Sequence, residues 1–576
     1  MNLKEQIRHS IPAAIVVVIG AWVMIYYSIV QWETMKPVPS WDLAIFSELA
    51  KAYAHFQTPI VPVKGDGYNL LGDHFHPILI LLGPIWRLFP TPLSLLITQD
   101  LLLAFSAWPL TRLASRLTNQ WVAGGLGLVY VLSWGMQGAV AAQFHEIAFA
   151  MPLLAYASVA FVERRWGAVT AWSVPLVLVK EDMGLTVLMI GVAVILTSAV
   201  PAWYRTCTVI RPGGRGADGL DTAGDAAGNA AGSAPQDDAA RNRRRGLRLG
   251  VGMIVGGIAA FLFAIQVFLP AFNINGVWDY GLSSQDQPTS PDALTQKATV
   301  VVMLILTSGI IGVTSPWLLV VLPTLAWRFL GSVEFYWVWD NWHYNATLMP
   351  IALGALLDVV ARRRAHGSYV ADHPVRQVGV DGRAVMGRSA QAALAAGATG
   401  EAGEAGTAGE SDVDGPRRRP TAFPTWLTVP MRHRFVVATS ILTAVATGVL
   451  TAPYLPLWQA TNKNFDPLAA EAKQSDEAKR TETHRVAVAH EVIATIPEGA
   501  TVVTDLSLLA YLVPRAEVSW AGTSGPDKEY IVMTPTSANQ WGSSDAAAWG
   551  KKHSKQGATY TLIYNKDNYQ IAKRNG

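Results

Sequence analysis

The sequence predicts an α-helical polytopic membrane protein with about eleven spans, one further re-entrant or interfacial helix, and a small C-terminal α/β domain outside the membrane. Three observations predict it. Half of the 576 residues are hydrophobic (51%) and only 15% are charged, where a soluble domain carries about a quarter charged. Apolar runs long enough to span recur as far as residue 452. After Pro453 the composition turns soluble, and strand-like runs follow a helical one. The single cysteine, Cys207, excludes an internal disulfide and any CxxC metal or redox motif. The net charge of +3 says little about partners, but the placement of the charges says more.

The first apolar run, residues 11–32, is long enough to cross and reads as a signal-anchor helix. Lys4, Arg8 and His9 precede it, while Glu33 and Asp42 follow it. The positive-inside rule then puts the N-terminus in the cytoplasm and Asp42 outside. Residues 33–76 form a proline-bearing outer loop, within which 42–56 have the spacing of an interfacial amphipathic helix. Residues 77–89 are too short to cross and read as re-entrant or interfacial. The remaining spans are 92–111, 121–140, 147–162, 167–180, 183–201, 248–270, 297–314, 316–331, 344–360 and 435–452. With 77–89 not crossing, the basic ends Arg112, Arg116, Arg164, Arg165, Arg205, Arg211, Arg362–Arg364, Arg432 and Arg434 all fall in the cytoplasm. That solution gives eleven spans, a plasma-membrane protein with its N-terminus inside and its C-terminus outside.

The organisation that follows is a membrane domain over 1–361, a last span over 432–454 and an outer α/β domain over 455–576. Residues 203–247 and 362–431 are Gly/Ala-rich with basic runs. They read as disordered cytoplasmic loops, too poor in large apolar side chains to form a core. Their arginines suit anionic lipid, and no nucleic-acid role is expected. In the outer domain, 482–496 and 505–512 read as helices, and 501–504, 529–533 and 560–564 as strands. No GxGxxG loop is present.

This topology brings four further polar motifs to the side that holds Asp42 and the cluster Asp73-His74-Phe75-His76. They are Gln143-Phe144-His145-Glu146, Lys180-Glu181-Asp182, the segment from Asn273 to Tyr280, and the aromatic stretch that holds Trp339, Asp340, His343 and Tyr344. Each has a plain structural explanation. Asp42 can serve as a helix-start carboxylate. His74 and His76 can brace the loop, His145-Glu146 can be an interface pair, and the aromatics can form an interfacial belt. Lys180-Glu181-Asp182 is harder to explain that way, because three charges between two apolar runs are expensive unless paired or solvated by a cavity. Together the groups suggest a cavity at the outer membrane edge. There a carboxylate can act as general base on a hydroxyl, and Lys180 or a carboxylate-bound divalent cation can neutralise a phosphate leaving group.

The stretches Trp41-Asp42-Leu43-Ala44-Ile45-Phe46, Asp73-His74-Phe75-His76-Pro77, Gln143-Phe144-His145-Glu146, Val179-Lys180-Glu181-Asp182 and 343–350 resemble a family of polytopic prokaryotic membrane proteins of unknown function. That family in turn resembles the GT-C superfamily of integral-membrane glycosyltransferases. The shared plan is a first span, a long outer loop with an early acidic residue, interfacial helices, many further spans and an outer C-terminal domain. The resemblance implies a polyprenyl-phosphate sugar donor, an outward active site, and a base or metal-binding role for Asp42. Many GT-C enzymes pair two acids in the first loop. Here the next acid is Glu48, no DxD is present, and Glu146 in the following outer loop is the candidate second acid.

The expected function is transfer of a sugar from that lipid carrier to an envelope glycan, lipid or protein. Asp42, Glu181 and Asp182 are expected in the chemistry. His74, His76, His145, Glu146, Lys180, Trp339, Asp340, His343 and Tyr344 are expected in substrate binding. The expected cofactor is at most a divalent cation, Mg or Mn, and membrane lipids are the further partner. A transporter or flippase of a lipid-linked or polar solute, and a non-catalytic envelope scaffold, are the alternatives. The polar motifs sit at span ends and no half of the chain mirrors the other, which speaks against a transporter.

Overall fold

The computed structural model describes residues 3–35, 41–199, 234–280, 291–331, 333–372, 377–378, 384–385, 429–457, 476–537 and 541–576. The fold is mostly helical and carries one five-stranded sheet near the C-terminus. Among the described residues, five helices are long and apolar enough to cross a membrane: 3–33, 92–117, 239–272, 343–364 and 434–454. The other apolar runs are shorter helices that lean on these.

The core is laid down by α1 (Leu3–Glu33), which packs along α4 (Pro92–Leu117). Before α4 come α2 (Trp41–Ala54) and α3 (Leu82–Leu88). Next follow α5 (Gln120–Val131), α6 (Trp134–Ala141), α7 (Ala150–Val162), α8 (Trp166–Ser173) and α9 (Met183–Ala199). The span expected over 121–140 is thus two helices. Ser133 adopts an extended conformation between them, and Gln137 repairs the break. Its Nε2 donates to the Leu132 carbonyl (2.6 Å) and its Oε1 accepts from the Leu457 amide (3.0 Å). Residues 77–81 form a 3₁₀ turn leading into α3, too short to cross.

Helix α10 (Ala234–Phe263) pairs with α9 along its length. The backbones touch through Gly184 against Gly257 and Gly191 against Gly250, where a Cβ would fall within 2.6 Å of the opposing carbonyl. The disorder expected over 203–247 therefore does not extend to its last part. From Ala234 the basic run continues the helix of the adjoining apolar segment, because adding arginines to a formed helix is cheap. Residues 203–233 lie outside the described residues. After α10 come α11 (Ala293–Thr307), α12 (Leu322–Leu330), α13 (Leu348–Asp372) and α14 (Val429–Thr451). Helix α13 runs eleven residues into the loop expected from 362, and Gln377–Val378 pairs antiparallel with Ala384–Val385. Apart from residues 429–431, which open α14, the rest of that loop lies outside the described residues.

The arginine-rich helix ends gather at one end of the bundle. Arg116 and Arg165 meet Glu163 (2.5 and 2.7 Å), and Arg164 meets the fully buried Asp358 (2.7 Å). Asp358 also accepts from Ser315 (2.7 Å) and pairs with Arg362 (3.2 Å), while Arg364 caps the Leu117 carbonyl (2.7 Å).

The C-terminal domain, named the outer domain for its expected side as the loop 33–76 is named the outer loop, opens with α15 (Asp476–Thr495) and holds strands β1 (Thr501–Thr504), β2 (Glu517–Trp520), β3 (Tyr530–Met533), β4 (Tyr560–Lys566) and β5 (Tyr569–Arg574). The sheet order is β2-β1-β3-β5-β4. β1 is parallel to both its neighbours, and the last two pairings are antiparallel. β2 and β5 are strands that the sequence pattern did not single out.

This domain sits on α2, which corrects the expectation of a surface helix with one polar face. Residues from Leu43 to Ala50 are buried on every side, because the outer domain covers the face that carries Glu48 and Lys51. Lys51 Nζ donates to the Val513 and Ala516 carbonyls (2.7 and 3.0 Å). Glu48 accepts from the amides of Val63 (3.4 Å) and Val518 (3.3 Å). Trp32 stacks on Tyr511 at 4.1 Å, and Arg485 donates to the Thr34 carbonyl (2.7 Å).

Two outcomes follow from these contacts. Asp358→Ala leaves buried arginine charge without its partner and is expected to cost about 3–5 kcal/mol, read as a lower unfolding midpoint of the detergent-solubilised protein. Burial pushes the Glu48 carboxyl up to about 8, against the opposing pull of the two amides and Lys51. The docked domain therefore binds this proton more tightly than a free carboxyl does. Its contribution is complete below the ordinary value of 4.5 and is lost as pH rises through about 8. Protection of the Val518 amide from hydrogen exchange should fall across that window, and Glu48→Gln should flatten the dependence.

Candidate functional site

At the end of the bundle opposite the arginines, a cavity of about 680 Å³ lies between the helices, the outer loop and the outer domain. Its polar wall is built by pairing charges that the sequence scatters. Lys180 follows the helical segment 166–178, and its Nζ donates to Glu146 Oε1 (2.7 Å). Glu181 accepts from the Phe75 amide (3.1 Å) and pairs with His74 Nδ1 (2.9 Å). Asp182 is left with Oδ1 buried and without a hydrogen-bond partner. Burial pushes the Asp182 carboxyl up to about 6, against the pull of Lys180. Burial also opposes the charge on His74, but the Glu181 carboxylate outweighs it and holds the imidazole above its ordinary value.

Asp73 organises the next layer. It pairs with Lys64 (2.6 Å) and accepts from the hydroxyls of Tyr68 (2.8 Å) and Tyr280 (3.0 Å). Burial alone would raise its carboxyl, yet His74, Lys64 and Tyr68 hold it below the usual carboxylate range. The Tyr280 ring stacks on His74 at 4.2 Å and so fixes the imidazole from the side. His76 lies deeper, with Nδ1 unpartnered, and burial pushes it down to about 4.

Asp42 occupies the first turn of α2, where the helix dipole favours a carboxylate. Its side chain is 41% exposed, the open carboxylate on this wall, with Oδ2 3.5 Å from His145 Nε2. His145 Nδ1 faces the Gln143 carbonyl at 3.2 Å. A carbonyl only accepts, so Nδ1 carries a hydrogen and Nε2 is the nitrogen turned to Asp42. A proton delivered to Asp42 can therefore be shared with His145. The His145 ring stacks on His343 with centroids 3.6 Å apart. Both histidines are set by left-handed residues just before them, Gln143 (φ 70°) and Trp342 (φ 64°). Such strain persists only where the surroundings enforce it. Gly138 belongs to that enforcement, because a Cβ there would come within 2.7 Å of the Trp342 carbonyl. Arg328 supplies the rest, donating to the carbonyls of Tyr336 (2.8 Å) and Tyr344 (3.0 Å) and to Asn345 Oδ1 (2.7 Å).

The far side of the cavity is apolar and aromatic, with Met183, Phe261, Trp278, Trp327, Leu330 and Phe335. Leu330 and Phe335 are also exposed.

Of the residues expected in the site, Asp42, His74, His76, His145, Glu146, Lys180, Glu181, Asp182, His343 and Tyr344 stand on the cavity wall. Trp339 and Asp340 do not line it. The Trp339 carbonyl accepts from Asn345 (3.2 Å), so that part of the aromatic stretch supports the loop. The two oxygens of Glu181 and one of Glu146 are taken by His74, the Phe75 amide and Lys180. Among the described residues no three His, Cys, Asp or Glu side chains converge in a way that would hold a metal ion. The carboxylates expected to bind a divalent cation are, among the described residues, not gathered into such a group. Lys64 and Arg328 were not singled out, and Asp73 and Tyr280 stood in motifs expected at the cavity without an assigned role. Arg328 carried a readable signal, a charge inside the apolar run 316–331. Lys64 carried none.

A family profile described as predicted membrane protein (DUF2079) matches residues 38–377, which holds every residue of this wall except Leu506 and Trp520. The chain belongs to the DUF2079 family. It is accordingly a membrane-embedded protein. No curated protein matches it. Among solved structures, it is similar to the crystal structure of ArnT from Cupriavidus metallidurans bound to undecaprenyl phosphate. The identity is 11%, the TM-score 0.44, and 97% of each chain is covered.

Glu181→Ala removes the acceptor of both His74 and the Phe75 amide. The expected loss is about 1–3 kcal/mol of local stability, read as faster hydrogen exchange at Phe75 with the outer-domain amides unchanged.

Proposed function

We propose that the protein is a membrane glycosyltransferase that moves a sugar from a polyprenyl-phosphate carrier to a hydroxyl of an envelope acceptor. The observation that carries this reading is the union, in one cavity, of an exposed carboxylate backed by a histidine, a half-buried lysine, and an aromatic wall with exposed apolar side chains. The sequence resemblance to GT-C transferases points the same way. In the proposed step Asp42 takes the proton of the acceptor hydroxyl and shares it with His145. The acceptor oxygen forms its bond to the anomeric carbon as the bond from that carbon to the phosphate oxygen breaks. The electron pair stays on the lipid phosphate, and Lys180 offsets its charge. The lipid chain lies along Phe261, Trp278, Trp327 and Leu330. Asp182, with its free Oδ1, meets a sugar hydroxyl. Glu181 positions His74 and the outer loop and takes no part in bond making. No step is routed through a divalent cation.

The same reading has eleven spans, the N-terminus in the cytoplasm and the outer domain outside. It is supported by the gathering of arginine-rich ends opposite the cavity. In a Cys207→Ser background, a cysteine at the exposed Phe56 should react with an impermeant reagent added to whole cells. One at the exposed Trp121 should react only after lysis. The reverse pattern would invert the topology.

Lipid-linked glycan profiling of a deletion strain tests the activity. The deletion and an Asp42→Asn complement should both accumulate the sugar-charged carrier, and Asp42→Asn should lower transfer by about 100-fold or more. A wild-type profile from Asp42→Asn at normal protein levels would end the transferase reading.

A further inference from the structure

The outer domain contributes to the cavity as well as resting on α2. Leu506 and Trp520 both stand on its wall, near Trp41 and Asp42 of α2. The Trp520 and Trp41 rings meet edge to face, with centroids 4.7 Å apart and planes at 72°. Neither indole is fully buried. They make an aromatic corner at the seam of two domains, one wall from each.

The corner is held in place by contacts that do no chemistry. Val518, two residues before Trp520 on β2, donates its amide to Glu48 of α2 (3.3 Å). In the turn after β2, Thr523 Oγ1 donates to the Val63 carbonyl (2.8 Å), and farther on Lys528 pairs with Asp66 (2.6 Å). The Trp520 ring lies over Gly522, where an added Cβ would fall 2.3 Å from the ring. Any other residue at 522 would push the indole from its position.

We propose that Trp41 and Trp520 form a ring-binding subsite for the acceptor, which takes the apolar C–H face of a hydroxylated ring such as a sugar residue of an envelope glycan. A tryptophan offers a broad apolar face with a polar edge, the combination that suits a ring with C–H bonds on its face and hydroxyls around its rim. Trp41 directly precedes Asp42, so a ring seated in the corner has its hydroxyls beside the open carboxylate. Lys180 is engaged by Glu146 and the lipid-facing aromatics lie on the far side, which leaves this corner to the second substrate. The ring's identity as acceptor rests on the transferase reading; the ring-binding surface does not.

The test uses the full-length protein in lipid nanodiscs with 5-fluorotryptophan incorporated, followed by fluorine NMR. Trp41→Phe and Trp520→Phe assign the two resonances. The probes are methyl glycosides of a hexose, a pentose and a deoxyhexose, with tetramethylammonium as a cation control. At least one glycoside should shift both resonances saturably. Trp520→Phe should weaken its effect at Trp41 by about fivefold. Gly522→Ala should move the Trp520 resonance before any probe is added and weaken binding as well. Shifts from tetramethylammonium alone, or no shift from any glycoside, would overturn the subsite. Glycoside binding together with an unchanged envelope in the Asp42→Asn strain would keep the subsite and retire the transferase reading. Loss of envelope sugar in that strain without glycoside binding would do the opposite.

Discussion

The ion pair from Lys180 to Glu146, beside the one from His74 to Glu181, is the contact on which the rest of the site depends. Lys180-Glu181-Asp182 stands between two apolar helical segments with no loop to carry it into water. Ions in such a place must find partners or lose their charge. The partners come from two distant parts of the chain, the loop before α7 and the outer loop after α2. Pairing them draws both loops onto one wall. Asp182 is left over, with one buried oxygen that no side chain or amide satisfies.

A second constraint works from above. Helix α2 is covered by the outer domain, so its polar groups, Glu48 and Lys51, meet backbone amides and carbonyls instead of solvent. Those bonds set the height of β2 over the cavity. They place Trp520 near Trp41 and leave Asp42, at the start of the same helix, open. One short helix thus presents its carboxylate to the cavity and its buried middle to the domain above. A change in the protonation of Glu48 bears on both.

The histidine pair shows how the two constraints meet. His145 follows a left-handed residue and His343 directly follows another, and the close approach of α6 at Gly138 leaves room for nothing else. Arg328 ties the 336–345 loop from below. Its buried guanidinium spends its hydrogens on backbone carbonyls and one asparagine, so it orders the loop without facing the cavity as a free charge.

Much of the architecture was legible in the sequence, because it rests on local properties. Apolar runs announced the helices, short strand-like runs announced three of the five strands of the C-terminal domain, and the step in composition at Pro453 announced that domain. The polar motifs were legible as a group for the same reason, since charges beside apolar runs are costly and stand out. What depended on partners was not legible. Leu132-Ser133 breaks a helix only because Gln137 can repair the break. Helix α2 is enclosed only because the outer domain arrives more than 400 residues later to cover it. Trp339 and Asp340 carry the same residue types as His343 and Tyr344, and side-chain direction alone separates loop support from cavity wall. By itself, then, the sequence determined which residues are too expensive to be idle at a membrane edge. The tertiary structure alone decided which of them neutralise one another and which remain open to a substrate, because pairing is a property of distance in space and not of order along the chain.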